Sequence, residues 1–380
     1  MGFHNKSYLA LIAFILCFGI VMIYDATAVF SQSTFGEAFR LVLLQVGWIM
    51  AGSVAFIFFY KYDYRKISKI AYPLFGFTLL LLAVLAIFGI LPCTEKTTFT
   101  PCVNGANRWF YLNAKPLPEI PFIGILSFQP SELAKLALIL YLAVLFAKKK
   151  EGKFDQLFSF FVVSGLVSFL IFLQPNLSNA FLIFVIGFGM YIASNAILWP
   201  VIASLPVFSV LGFLFILTSE YRKTRFLTLI NSKSSGELSV GYHIKQILIA
   251  LGSGGLFGVG FGQSRQKFQY LPEVASDSIF AIIGEELGYM GTLFVILMFG
   301  ALIYKGFKIA SDSSDLVGRL LAVGITVWIG LQFFINVAAM TRLIPLTGMP
   351  IPLISYGGSS MVFSLAGLGV LGSVGRSNHS

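Results

Sequence analysis

The chain is a succession of long apolar runs separated by short polar breaks. Cutting it wherever an apolar run of about twenty residues is interrupted predicts about ten membrane-spanning helices. They fall near 7–30, 39–60, 70–91, 129–147, 156–173, 178–194, 198–218, 278–304, 318–340 and 355–373. The fifth and sixth are separated only by Gln174-Pro175-Asn176. One further segment differs in kind. Gly241 to Leu251 carries apolar residues at helical spacing with a basic face, which suits a helix lying in the membrane interface.

Composition agrees: 57% of residues are hydrophobic and 11% charged, whereas a soluble domain averages roughly 25% charged. The fold class is therefore an all-α polytopic membrane protein, read as a single domain over 1–380 with no internal repeat. The first apolar segment is too long for a cleaved signal core and reads as a signal anchor. Lys6 stands where a myristoylation motif wants Ser or Thr, so Met1-Gly2 is not read as one.

Short basic loops set the orientation. Lys61, Arg65, Lys66 and Lys69 follow the second helix, Lys148, Lys149, Lys150 and Lys153 the fourth, and Lys305 and Lys308 the eighth. Such clusters mark the cytoplasmic side. Both termini are then cytoplasmic, and segments 92–128 and 219–277 are extracytoplasmic, the latter between helices 7 and 8. The 219–277 loop breaks the pattern, carrying Arg222, Lys223, Arg225, Lys233, Lys245, Arg265 and Lys267 on the outer side. A solvated surface is one reading. A platform for phosphate-bearing lipid or polymer is the preferred one. The net charge of +10 fits membrane lipids and calls for no nucleic acid.

Of three cysteines, Cys17 lies in the first helix, while Cys93 and Cys102 share an outer loop where a disulfide is plausible. Three scattered histidines and no close cysteine pair exclude a typical zinc site. The glycines between Gly252 and Gly262 lack the Gly-Lys-Ser/Thr of a phosphate loop, so close helix packing or a hinge is the better reading.

Chemistry concentrates in five segments. These are Gly105-Ala-Asn-Arg-Trp109, Gln129-Pro-Ser-Glu132-Leu-Ala-Lys135, Gln174-Pro-Asn-Leu-Ser-Asn-Ala180, the stretch from Gly262 through Leu271-Pro-Glu273 and Asp277 to Glu285-Glu286, and Leu343 through Ser355-Tyr-Gly-Gly-Ser-Ser360. Ionisable groups at the edge of or within apolar helices are costly and usually functional. Position alone also allows Asp277 to be a helix N-terminal acid favoured by the macrodipole, and Glu132 with Lys135 to be an intramembrane ion pair.

In order and spacing these segments resemble the SEDS family (shape, elongation, division and sporulation), over nearly the whole chain. The wording Gly-Gln-Ser-Arg-Gln-Lys before Leu-Pro-Glu is closer to the division branch. The resemblance implies a membrane glycosyltransferase of the bacterial inner membrane that polymerises lipid II into a glycan strand. Asp277 would be the catalytic base. Arg108, Lys135, Arg265 and Lys267 would be the cations facing the leaving pyrophosphate. Trp109, Glu132, Glu273, Tyr356 and Ser359 would line the substrate site, and Glu285 and Glu286 would couple their helix to its neighbours or to a partner. No cofactor is required, with Mg or Mn a candidate divalent ion at the pyrophosphate. The implied partner is a single-pass class B penicillin-binding transpeptidase. The chain departs from the family pattern at Ala275, Ser276 and Ser278, where His, Thr and Phe are usual, and at Asn176, where an acid is usual. A lipid flippase or transporter, and a non-catalytic scaffold of a cell-wall complex, are the alternative readings.

Overall fold

The computed structural model describes residues 3–90, 99–103, 106–113, 126–148, 154–196, 199, 239–268 and 270–378. Its helices are α1 (Phe3–Phe35), α2 (Arg40–Lys61), α3 (Tyr64–Ile67), α4 (Ala71–Ile90), α5 (Pro130–Lys148), α6 (Phe154–Phe172), α7 (Leu177–Ala193), α8 (Ser239–Ser253), α9 (Ile279–Ser311), α10 (Leu316–Met340) and α11 (Gly358–Ser377). Among the described residues, eight helices are long and apolar enough to cross a membrane, and α7 is a shorter apolar one. The predicted helix 198–218 lies outside the described residues apart from Trp199.

Burial sorts these helices into layers. In the most apolar window, α5 and α11 are 78% buried and α10 is 72%, against 22% for α2. The bundle therefore centres on α5, α10 and α11, with α2 and α4 presenting Val54, Leu80 and Ile87 outward, as lipid-facing positions require. Small residues let backbones approach at the centre. A side chain at Gly369 of α11 would run into the Phe56 backbone of α2.

The start of α1, the end of α11 and the basic residues after α2 and late in α9 meet at one end of the bundle. Arg376 Nη2 donates to the Lys61 carbonyl at 2.7 Å, Tyr64 Oη to Asp315 Oδ1 at 2.6 Å, and Lys305 Nζ to Ser7 Oγ at 2.7 Å. The motif segments collect at the opposite end, which the positive-inside pattern makes the outer face.

Two helices differ from expectation for local reasons. The third span begins earlier than residue 70, because the Asp63 side chain accepts from the Arg65 amide and starts α3. The last begins at Gly358 rather than 355, since the Tyr356 amide is donated to the Ala275 carbonyl instead.

The largest surprise is inside α9. At Gly288 the backbone turns to φ 67°, ψ −163° and breaks the helix. The freed groups are not left unpaired. The Glu285 and Glu286 carbonyls accept from the Val259 and Gly260 amides at 2.9 and 3.1 Å, and the Tyr289 and Met290 amides donate to Gly255 and Leu256 at 2.9 and 3.1 Å. The glycine-rich loop after α8 thus replaces the missing turn, since buried backbone groups must be satisfied. Gly258 is required here: it has φ +83°, and a Cβ would collide with the Glu286 carbonyl. The glycines are used for close packing.

Candidate functional site

Asp277 is 6% exposed and immediately precedes Ser278, the N-cap of α9. The turn that delivers it is wound around Glu273, a non-glycine residue at φ +50° whose carbonyl accepts from the Ser276 and Ser278 amides, both at 3.2 Å. The Glu273 side chain is exposed and accepts from Ser276 Oγ at 2.8 Å. Gly348, at φ +64°, faces the carboxylate, so that a Cβ there would lie 3.5 Å from Asp277 Oδ2. From the other side, Ser278 Oγ lies 2.7 Å from His243 Nε2 of α8. That contact registers the amphipathic helix against the Asp277 turn, and leaves Tyr242, Lys245, Leu248 and Ile249 exposed on its outer face.

The segment 344–359 gathers the remaining motifs. Ser178, in the Gln174 motif, donates to the Thr347 carbonyl at 3.1 Å. Gln332 Nε2 reaches Pro350 at 2.9 Å, and Asn336 Nδ2 reaches both Met349 at 2.6 Å and the Asp277 carbonyl at 2.8 Å. Ser359 is buried; its hydroxyl accepts from the Gln129 amide at 3.2 Å, which ties the last motif to the start of α5. Tyr356 is half-buried, and burial raises its phenol pKa, so it stands as a neutral donor.

Two of the four expected cations are engaged by protein carboxylates. Lys135 is fully buried on α5, with its ammonium 2.7 Å from Glu132 Oε1 and 2.9 Å from Gln332 Oε1. Trp328 Nε1 donates to the same Gln332 oxygen at 3.0 Å. Lys267 bridges Asp25 Oδ1 of α1 at 2.8 Å and Glu286 Oε1 of α9 at 3.0 Å. Burial acts to lower its pKa, but the hydrogen bonds to Asp25 and Glu286 outweigh it and raise the value above the ordinary 10.5. Glu286 also accepts from the Gly262 and Ser264 amides at 3.0 and 2.9 Å. Glu285 accepts from the Arg265 amide at 3.1 Å and from Ser264 Oγ. The paired glutamates therefore fasten the 254–267 loop across the helix break and, through Lys267, to α1.

Arg265 and Arg108 are held differently. The Arg265 side chain is exposed. Arg108 follows β2 (Ala106–Asn107), which pairs with β1 (Cys102–Val103), and precedes β3 (Phe110–Tyr111), which pairs with β4 (Ser127–Phe128) at the entrance to α5. Its guanidinium donates to the Gln174 carbonyl at 3.3 Å and to that of Pro175. Trp109 beside it is half-buried. Cys102 is disulfide-bonded and Cys17 is free; Cys93, the expected other half, lies outside the described residues, as do Gly105 and the basic residues 222, 223, 225 and 233. Among the described residues no three His, Cys, Asp or Glu side chains gather as a metal site.

Sequence reasoning did not single out Asp25, Gln45, Gln332 or Asn336. Gln332 and Asn336 stand at i, i+4 in an otherwise apolar span, a signal that polar groups inside the membrane carry.

Comparison with known proteins agrees with this arrangement. The family model described as "Cell cycle protein", covering FtsW, RodA and SpoVE, matches residues 5–380. The chain is 34% identical to stage V sporulation protein E of Bacillus subtilis over 95% of its length and 94% of the relative's. It is 33% identical to the probable peptidoglycan glycosyltransferase FtsW of Geobacter metallireducens, over 93% and 90%. Among solved structures it matches a chain from a peptidoglycan synthase complex, studied for its coordination of polymerization and crosslinking, at TM-score 0.75 and 25% identity over 99% and 98%. The rod shape determining protein RodA of Thermus thermophilus matches at 0.67 and 26% over 98% and 97%. The chain belongs to the FtsW, RodA and SpoVE family, the SEDS family that its motifs resemble.

Proposed function

We propose that this multi-pass membrane protein is a peptidoglycan glycosyltransferase that polymerises lipid II at the outer face of the bacterial cytoplasmic membrane. The observation that carries the reading is the convergence of the family's motif segments on one carboxylate, Asp277, at the end of the bundle opposite the basic loops. Relatives named as probable peptidoglycan glycosyltransferases support it.

The reaction joins the acceptor sugar's 4-oxygen to the donor's anomeric carbon while the bond from that carbon to the lipid pyrophosphate breaks. Asp277 takes the proton from the 4-hydroxyl as general base, and the pair of electrons of the broken bond leaves on the pyrophosphate. Arg265, whose side chain is exposed, and Arg108, whose guanidinium is held at the Gln174-Pro175 junction, meet that developing charge. Trp109 offers a flat apolar face to a sugar ring, and Tyr356 and Ser359 line the approach. Glu273 holds the turn that presents Asp277. Lys135 with Glu132, and Lys267 with Glu286, act from behind as fixed ion pairs that keep α5, α9 and the loop in place.

The partner is a single-pass class B penicillin-binding transpeptidase, a reading supported by the matched synthase complex in which polymerization and crosslinking are coordinated. The test is incubation of the purified protein with labelled lipid II, alone and with its cognate transpeptidase. Glycan ladders are expected. Absence of ladders in both conditions would leave the scaffold or lipid-transport readings.

A further inference from the structure

We propose that Asn336 is a positioning residue that sets where the Asp277 carboxylate stands. This rests on the glycosyltransferase reading and adds a residue to it. Asn336 is fully buried in α10, and its side-chain amide reaches the site. Its Nδ2 donates to the main-chain carbonyl of Asp277 at 2.8 Å and to that of Met349 at 2.6 Å. A primary amide has two N–H bonds, and both are used. The orientation is therefore determined, because the flipped amide would set its oxygen against two carbonyl oxygens.

These two acceptors flank the carboxylate. One belongs to Asp277 itself. The other belongs to the residue after Gly348, whose Cα faces Asp277 Oδ2. A single rigid amide thus fixes the spacing between the base and the wall opposite it. The Tyr356 amide, 2.8 Å from the Ala275 carbonyl, pins the same turn two residues earlier.

Two other buried amides hold the same wall without touching Asp277. Gln332 Nε2 donates to Pro350 at 2.9 Å and Gln45 Nε2 to Ser355 at 3.3 Å. Gln332 also serves Lys135, so Gln45 is the cleaner comparator: it is fully buried, and its Oε1 accepts from the Gly357 amide at 3.4 Å. Removing Gln45 loosens the wall and reaches the base only at one remove, through the Tyr356 amide. Removing Asn336 loosens the wall and the base together.

The test uses the full-length protein with its transpeptidase. Asn336→Asp keeps the shape and can offer at most one donor, the O–H of its protonated form, to the two carbonyls; Asn336→Leu removes the amide. Asn336→Ser, smaller and still polar, is read by the same thresholds where the leucine variant yields no folded protein. Initial rates of lipid II polymerisation are measured against lipid II concentration and normalised to monodisperse protein. Displacing a base by about 1 Å costs on the order of 100-fold, so kcat is expected to fall by about that factor with KM nearly unchanged. Gln45→Leu is expected to lower the melting temperature while kcat per folded molecule stays within about threefold of wild type, since no transition-state contact is lost. Wild-type kcat in the folded Asn336 variants would overturn the proposal. So would an equal loss of kcat in Gln45→Leu, which would make Asn336 one of several residues ordering 349–357. Ladders from wild type that vanish in Asp277→Asn, measured alongside, keep the glycosyltransferase reading intact in either case; absence of wild-type ladders would fail that reading itself.

Discussion

Lys267 is the most demanding test of how the outer loop is held. Its ammonium lies 2.8 Å from Asp25 and 3.0 Å from Glu286, and all three side chains are nearly fully buried. In Lys267→Met the stem is kept and the charge is lost, leaving two carboxylates sharing a buried site. Breaking a buried pair by removing one partner costs about 3–5 kcal/mol. With unfolding entropy near 2.1 cal/mol/K per residue, a chain of 380 residues should lose about 4–6 °C in melting temperature. The raised Lys267 pKa sets the sign on the alkaline side: from neutral pH up to the ordinary value of 10.5 the lysine's contribution is complete, and it is lost as pH rises through the folded value. The assay is thermal unfolding in nanodiscs at neutral pH, together with lipid II polymerisation. The triple change Asp25→Asn, Lys267→Met and Glu286→Gln removes all three charges and should recover most of the melting temperature, because a neutral replacement of a buried ion cluster is often tolerated. It should recover polymerisation too. A Lys267→Met protein that melts with wild type would show that the bridge to Asp25 and Glu286 does not hold the loop. A triple variant that melts normally yet makes no polymer would return Lys267 to the substrate site.

Two further outcomes follow from the same geometry. Lys135→Met leaves Glu132 buried and should destabilise the protein by about 3–5 kcal/mol, with Glu132→Gln/Lys135→Met recovering most of it; thermal unfolding of Lys135→Met, Glu132→Gln and the double variant measures the coupling. Gly258→Ala should cost about 2–5 kcal/mol in chemical denaturation, combining a left-handed alanine with loss of the Val259 and Gly260 hydrogen bonds into α9. Gly255→Ala, where a Cβ meets nothing within 4 Å, should cost only the left-handed part, about 1–2 kcal/mol.

Among the described residues the membrane-spanning helices were legible because lipid demands the same thing of each: a long run of apolar side chains around a satisfied backbone. The outer end was legible through its motifs, several of which the structure ties to the 344–359 segment: the Gln174 motif through Ser178, the Asp277 turn through Asn336, and the start of α5 through Ser359. The break in α9 was not. Gly288 sits in an apolar run that reads as one helix, and the loop that repairs it lies some thirty residues upstream. Lys267 read as a free cation because its partner Asp25 is 242 residues away in sequence. Asn336 was overlooked because a neutral amide barely lowers the hydropathy of its span. Its importance lies in which carbonyls it reaches, and that is a property of the packed bundle.

In this mechanism Asp277 removes the acceptor proton. Its most direct test is the rate of glycan synthesis from labelled lipid II by Asp277→Asn against wild type, each bound to the transpeptidase and checked for equal folding. An amide of the same shape cannot act as the base, so polymer should be lost while complex assembly and melting temperature are retained. Wild-type ladders from Asp277→Asn would contradict the account and move the proton acceptor to another group.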